Sequence, residues 1–246
     1  MSASTAAMTS STSGYTTGEF WERLWRLSGI NFVAFIIIAY VIGGHQPQVG
    51  ASADALVAFY DGDRTRILIA AVILGLGVLN LLWFAAALSN ELRADGQGTW
   101  AAAATAASGA LGVIFFLLIT VNAALAYSIA GSGNNQITSG LNDFSWVLMV
   151  IASFPAAMLI MAGTFGLRQG GTISSAAFSA GVAAVVLVLL GGTTWAGDGF
   201  WAPDGAYSRF ISPIVALAWI AVVSGFLYMR SPSTVSTRDR AAVPAA

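Results

Sequence analysis

The sequence contains no cysteine, no lysine and a single histidine in 246 residues. Without cysteine there is no disulfide, no thiolate nucleophile and no thiolate metal site. Without lysine there is neither a Schiff base nor a Walker-type phosphate loop. One histidine rules out a histidine-rich metal cluster. Charge is scarce too, at 9% of residues, where ordinary globular domains carry roughly 25%. The formal net charge of -1 lacks the basic stripe that a nucleic acid demands. No cofactor and no nucleic-acid partner are expected.

What replaces charge is apolar surface. Hydrophobic residues make up 57% of the chain, and the mean hydropathy is +0.77. A soluble core cannot absorb that excess, whereas a bilayer can. Six apolar stretches run over about 27–44, 67–89, 101–130, 144–167, 173–195 and 210–229. Most approach or exceed the roughly 20 residues that cross a 30 Å hydrocarbon core. The first is short and borrows length from Leu24–Arg26. Lipid offers the backbone no hydrogen-bond partner, so each stretch must be helical. The expected fold is an all-α polytopic membrane bundle of six transmembrane helices within residues 17–230. Tails at 1–16 and 231–246 are expected to be disordered. Residues 1–16 lack the basic start and apolar run of a secretory signal.

Arginine sets the orientation. With both termini in the cytoplasm, Arg23, Arg26, Arg93, Arg168, Arg230, Arg238 and Arg240 lie inside and only Arg64, Arg66 and Arg209 outside. That partition follows the positive-inside rule. Arg64 and Arg66 oppose it, but Asp61 and Asp63 beside them nearly cancel their charge. Arginine as the sole cation besides histidine, with abundant Ala and Gly, carries the coding bias of a GC-rich bacterium. The expected location is a bacterial plasma membrane, with membrane lipids as partners and a membrane protein or a second copy as a further possibility.

Local signals refine this picture. Thr16 and Glu19 have the spacing of a capping box. The helix they open places Phe20, Trp21, Leu24 and Trp25 on one face, either in the headgroup layer or as an extension of the first span. In the first outer loop, Ser52 to Tyr60 reads as a short capped helix lying on the bundle. The third outer loop is aromatic, with Trp195, Phe200, Trp201 and Tyr207 at a membrane boundary.

The order of features resembles a group of uncharacterised actinobacterial six-helix integral membrane proteins, a domain-of-unknown-function family. The resemblance lies in Ala53 to Tyr60 followed by Arg64-Thr-Arg66, in Leu82-Trp-Phe through Leu92-Arg93, in Phe154-Pro155, and in Trp219 through Ser224. It implies the six-helix fold and supplies no activity, ligand or site residue.

Candidate sites are few. The central parts of the six stretches carry no charge, which disfavours proton-coupled or voltage-driven machinery. Asn31, Asn80 and Asn122 are the most polar side chains at membrane depth. They either line a cavity for a polar or amphipathic ligand or, the preferred reading, hydrogen-bond between helices. Ser108 within Ala106-Ala-Ser-Gly109 superficially resembles a rhomboid-type serine motif but has no histidine base, so packing is preferred. His45 lies at the outer end of the first helix, with Asp61, Asp63, Asp198 and Asp204 on the same side. These form a candidate outer face without a recognisable metal-ligand spacing. Pro155 interrupts the fourth stretch, where a kink can hinge a transporter or shape a pocket; the preferred reading of it and Pro213 is that membrane helices tolerate proline without such a role.

The leading functional expectation is a non-enzymatic protein that binds a lipid-like molecule or a membrane partner. The alternatives are a small transporter with an uncharged polar cavity and a membrane enzyme acting at the outer face.

Overall fold

The computed structural model describes residues 25–230. The expected tails, the capping box at Thr16–Glu19 and the face formed by Phe20, Trp21 and Leu24 lie outside the described residues. Among the described residues there is no strand. The α-helices are α1 (Ser28–Gly43), α2 (Ala53–Tyr60), α3 (Arg64–Ala94), α4 (Gly98–Ala124), α5 (Asn135–Gln169), α6 (Ser175–Gly191) and α7 (Ser212–Met229). A π-turn (Leu125–Ile129) and a 3-10 turn (Ala130–Ser132) prolong α4, and a second π-turn (Tyr207–Ile211) leads into α7.

Four helical segments are long and apolar enough to cross a membrane: Arg64–Ala94, Gly98–Ser132, Asn135–Gln169 and Tyr207–Met229. The other two apolar helices, α1 and α6, have 16 and 17 residues, about 24 Å and 26 Å of rise. Three of these segments overrun their apolar stretches at both ends and Tyr207–Met229 at its start alone, because backbone hydrogen bonding continues into polar residues until something stops it. Asn134 starts α5 by accepting from the Ile137 amide. The expected fifth stretch is shortened instead, because the chain turns at Gly191–Gly192 and Thr193 to Trp195 leave the helix.

Two helices stop in the same way. The Gln97 amide bonds the Leu92 carbonyl and the Gly96 amide that of Arg93; Thr172 and Gly171 repeat the pattern on Leu167 and Arg168. Gly96 and Gly171 sit at φ +76° and +69°, the left-handed conformation that this cap requires and glycine alone adopts without cost.

Those two caps meet at one end of the bundle, called proximal because the first and last described residues, Trp25 and Arg230, both lie there. Arg230 pairs with Glu91 at 2.5 Å and approaches Asp95 at 3.7 Å, while the Thr172 hydroxyl donates to Asp95 at 2.6 Å. The Arg26 guanidinium donates to the Leu227 and Arg230 carbonyls at 2.9 and 2.7 Å, and the Ser224 hydroxyl donates to the Arg26 carbonyl at 2.6 Å. The proximal end thus ties together the start of α1, the ends of α3 and α7 and the α5–α6 turn.

Small residues let the helices close up around this end. A Cβ on Gly29 would come within 2.7 Å of Phe84 and 2.8 Å of Ser224; one on Gly163 would come within 2.5 Å of Trp219. A Cβ on Gly166 would lie 2.6 Å from Leu92. Ala101, Ala104, Ala107 and Ser108 are buried along α4, with Phe84, Leu88, Leu92, Leu159, Ile220 and Leu227 in the same core. Ser108 donates to the Thr105 carbonyl at 2.9 Å, so its hydroxyl is satisfied within the helix. α5 runs through Pro155 without a break, and Pro213 occupies the first turn of α7, where the missing N–H costs least.

The opposite, distal end is roofed by α2. Ser52 caps it by accepting from the Ala55 amide at 3.3 Å, and Leu56 and Tyr60 are fully buried on it against Leu125, Ala126 and Ala130.

Candidate functional site

The distal half contains a cavity of about 430 Å³, within the range typical of small-molecule sites. Its walls are apolar, built from α1, α3, α4, α5 and α7 with side chains such as Ile36, Leu74, Ile119 and Met149. Polar groups collect at its distal mouth: Tyr40, His45, Gln46, Asn122, Trp146 and Arg209. Toward the proximal end it adjoins a smaller space of about 110 Å³ between α1, α4, α5, α6 and α7. The two share Ile36, Phe115, Met149, Pro213 and Leu217 as walls.

The cavity also opens sideways. Ile37 and Tyr40 of α1, and Phe210 and Ile214 on the α7 side, line it yet remain exposed on the surface of the bundle. α1 and α7 are joined near the proximal end, where Gly29 lies against Ser224 and Arg26 bonds the end of α7. Toward the distal end the space between them is the cavity. Across its top, Arg209 reaches over to the segment that follows α1.

Arg209 is the principal charge at the mouth. Its π-turn is an irregularity of the kind often found at functional sites. The guanidinium donates to the Gln46 carbonyl at 3.2 Å and lies 5.0 Å over the Trp146 ring. Stacking on an indole suits the flat, weakly hydrated guanidinium. Among the described residues no carboxylate lies within 4.0 Å of it.

The segment 44–52 is held above the cavity by a polar network. Asn142, fully buried, donates to the Pro47 and Gln48 carbonyls at 3.4 and 3.2 Å, and accepts from Gln46 at 3.3 Å and Tyr60 at 2.9 Å. Trp146 donates to the Pro47 carbonyl at 2.9 Å. Asp204 and Asp143 accept from the Val49 and Gly50 amides, both at 3.2 Å. The Tyr60 hydroxyl also reaches Asn122 at 3.2 Å. Burial pushes the Tyr60 phenol above its ordinary pKa; the Asp143 charge pushes the same way, and the Gln46 hydrogen bond opposes both. Tyr60 is therefore a neutral donor that fixes both asparagines.

The residues singled out from sequence are not gathered in one place. Asn122 lines the cavity, bonding the Leu118 carbonyl at 2.9 Å and Ser145 at 3.4 Å. Asn80 turns back onto the Leu76 carbonyl of its own helix at 2.9 Å. Asn31 lies on the first turn of α1, near the proximal end. His45 is at the cavity mouth, edge-on to Tyr40 at 5.6 Å. Asp63 pairs with Arg66 at 2.5 Å, Asp61 is exposed beside Gly131, and Asp204 holds the Val49 amide while Asp198 is exposed. Among the described residues no three His, Asp or Glu side chains come together as a metal site.

Sequence reasoning missed Arg209, Gln46, Asn142, Trp146 and Tyr60 as a group. The available signal was Arg209, an arginine at the start of an apolar stretch with no acid within four residues. No family model, curated protein or solved structure matches the chain.

Proposed function

We propose that this chain is a six-span protein of a bacterial plasma membrane that binds a lipid-like amphiphile without transforming it. On this reading α1 and α6 also cross the bilayer, and the proximal end faces the cytoplasm. Four of the described arginines (Arg26, Arg93, Arg168 and Arg230) belong to that end, in keeping with the positive-inside rule. The sequence resemblance to six-helix actinobacterial membrane proteins fits the same topology.

The observation that carries the functional reading is the cavity's polarity. It is apolar along its walls, polar only at its distal mouth, and open sideways between α1 and α7. A hydrophilic solute gains nothing from such walls, whereas an alkyl chain entering from the bilayer keeps an apolar environment throughout. The test is native mass spectrometry of the full chain extracted into native-lipid nanodiscs, beside a Met149→Trp variant that fills the cavity. An amphiphile retained by the wild type and lost from the variant supports the reading. Equal retention by both, or by neither, overturns it.

A further inference from the structure

Building on the amphiphile-binding reading, we infer that the ligand is a single-chain carboxylate amphiphile whose head sits on Arg209 and whose chain points toward the proximal end. Three observations converge on that class. The first is charge. The charged or titratable side chains lining the cavity are Arg209, His45 and Tyr40, so the mouth carries positive charge and no acid. The nearby carboxylates, Asp143 and Asp204, are engaged by the Gly50 and Val49 amides. Arg209 has its stacking partner and one carbonyl acceptor but no carboxylate within 4.0 Å among the described residues. Its remaining N–H groups form the planar fork that matches a carboxylate.

The second observation is direction. Behind Arg209 the shared walls are apolar through Met149 and Leu217, and beyond them lies a smaller space of about 110 Å³ whose polar lining is Ser153, Ser208 and Ser212. A head at the mouth therefore points its chain toward that smaller space, and the small volume there is why we infer one alkyl chain rather than two. The third is access. Ile37, Tyr40, Phe210 and Ile214 form an exposed apolar rim, so a chain can slide in laterally while its head stays at the level of Arg209.

The experiment is equilibrium binding of radiolabelled palmitate and 1-hexadecanol to the full chain in phosphatidylcholine nanodiscs, with empty nanodiscs subtracted. Hexadecyltrimethylammonium serves as a cationic competitor. Palmitate is expected to bind at least about tenfold more tightly than the alcohol, as one charge-assisted pair implies, with no displacement by the cation. Arg209→Gln should erase that preference while still binding 1-hexadecanol, which shows that the variant is folded. Equal affinity for acid and alcohol in the wild type, or a preference that survives in Arg209→Gln, overturns the inference and leaves amphiphile binding standing. If neither the acid nor the alcohol binds, amphiphile binding itself falls, and the inference with it.

Discussion

The two ends of this bundle solve different problems with similar residues. At the proximal end, glycine and alanine let helices touch, Arg230 pairs with Glu91 and Asp95, and Arg26 and Arg168 donate to backbone carbonyls. At the distal end, large apolar side chains leave a space between α1 and α7, and Arg209 meets a carbonyl and an indole instead of an acid. Polar side chains there fix a loop as well as bridge helices. The difference lies in placement: Arg209 lines a cavity with no acid in its walls, whereas Arg230 is packed onto two carboxylates.

The contrast breaks most severely at the close helix contacts. Gly163→Leu drives a side chain into Trp219 and Leu88 and should cost about 3 kcal/mol or more, read as thermal unfolding in detergent. A Gly140→Leu variant, where a Cβ meets nothing within 4 Å, should unfold near the wild-type temperature.

Asn142→Leu attacks the distal end instead. It takes one hydrogen-bond partner each from the Tyr60 hydroxyl, the Gln46 amide and the Pro47 and Gln48 carbonyls, at a cost of about 2 kcal/mol. Hydrogen exchange should rise in residues 44–52 and remain unchanged in 88–96.

A smaller effect sharpens the comparison through pH. The folded pKa of Tyr60 lies above its unfolded value, about 10 for a free phenol. Its contribution is therefore fully present below pH ~10 and is lost as pH rises through the folded value, because the unfolded chain gives up the proton first. Thermal unfolding followed through this range should show an alkaline loss that is reduced in Tyr60→Phe.

Glu91→Gln should have the smallest consequence. The Arg230 and Glu91 side chains are 38% and 18% exposed, so solvent screening holds the loss to about 1 kcal/mol or less. The difference from wild type should shrink further as salt is added to the unfolding assay.

Much of the scaffold was legible because lipid leaves the backbone no choice. A long apolar run must be a helix, and Ser52 with its apolar followers announces a capped helix that buries Leu56 and Tyr60. The small residues around Ser108 announced packing, and Ala104, Ala107 and Ser108 are buried on α4. The cavity was not legible. In helices that are apolar all round, Ile36 on the cavity wall and Val41 on the bundle surface carry the same chemistry, so hydrophobic periodicity cannot tell them apart. Asn80 satisfies its amide on its own helix, which polarity alone does not reveal. Arg209 and Gln46, 163 positions apart, become neighbours only once α1 and α7 pack.

The most direct test uses the absence of native cysteine. Single variants Met149→Cys, on the cavity wall, and Leu88→Cys, fully buried in the proximal core, are treated with a membrane-permeant maleimide, with and without palmitate. A ligand-bearing distal end requires that Met149→Cys is labelled, that palmitate protects it, and that Leu88→Cys stays unreactive in both conditions. Labelling of Met149→Cys that palmitate leaves unchanged, or equal reactivity at the two positions, would contradict it.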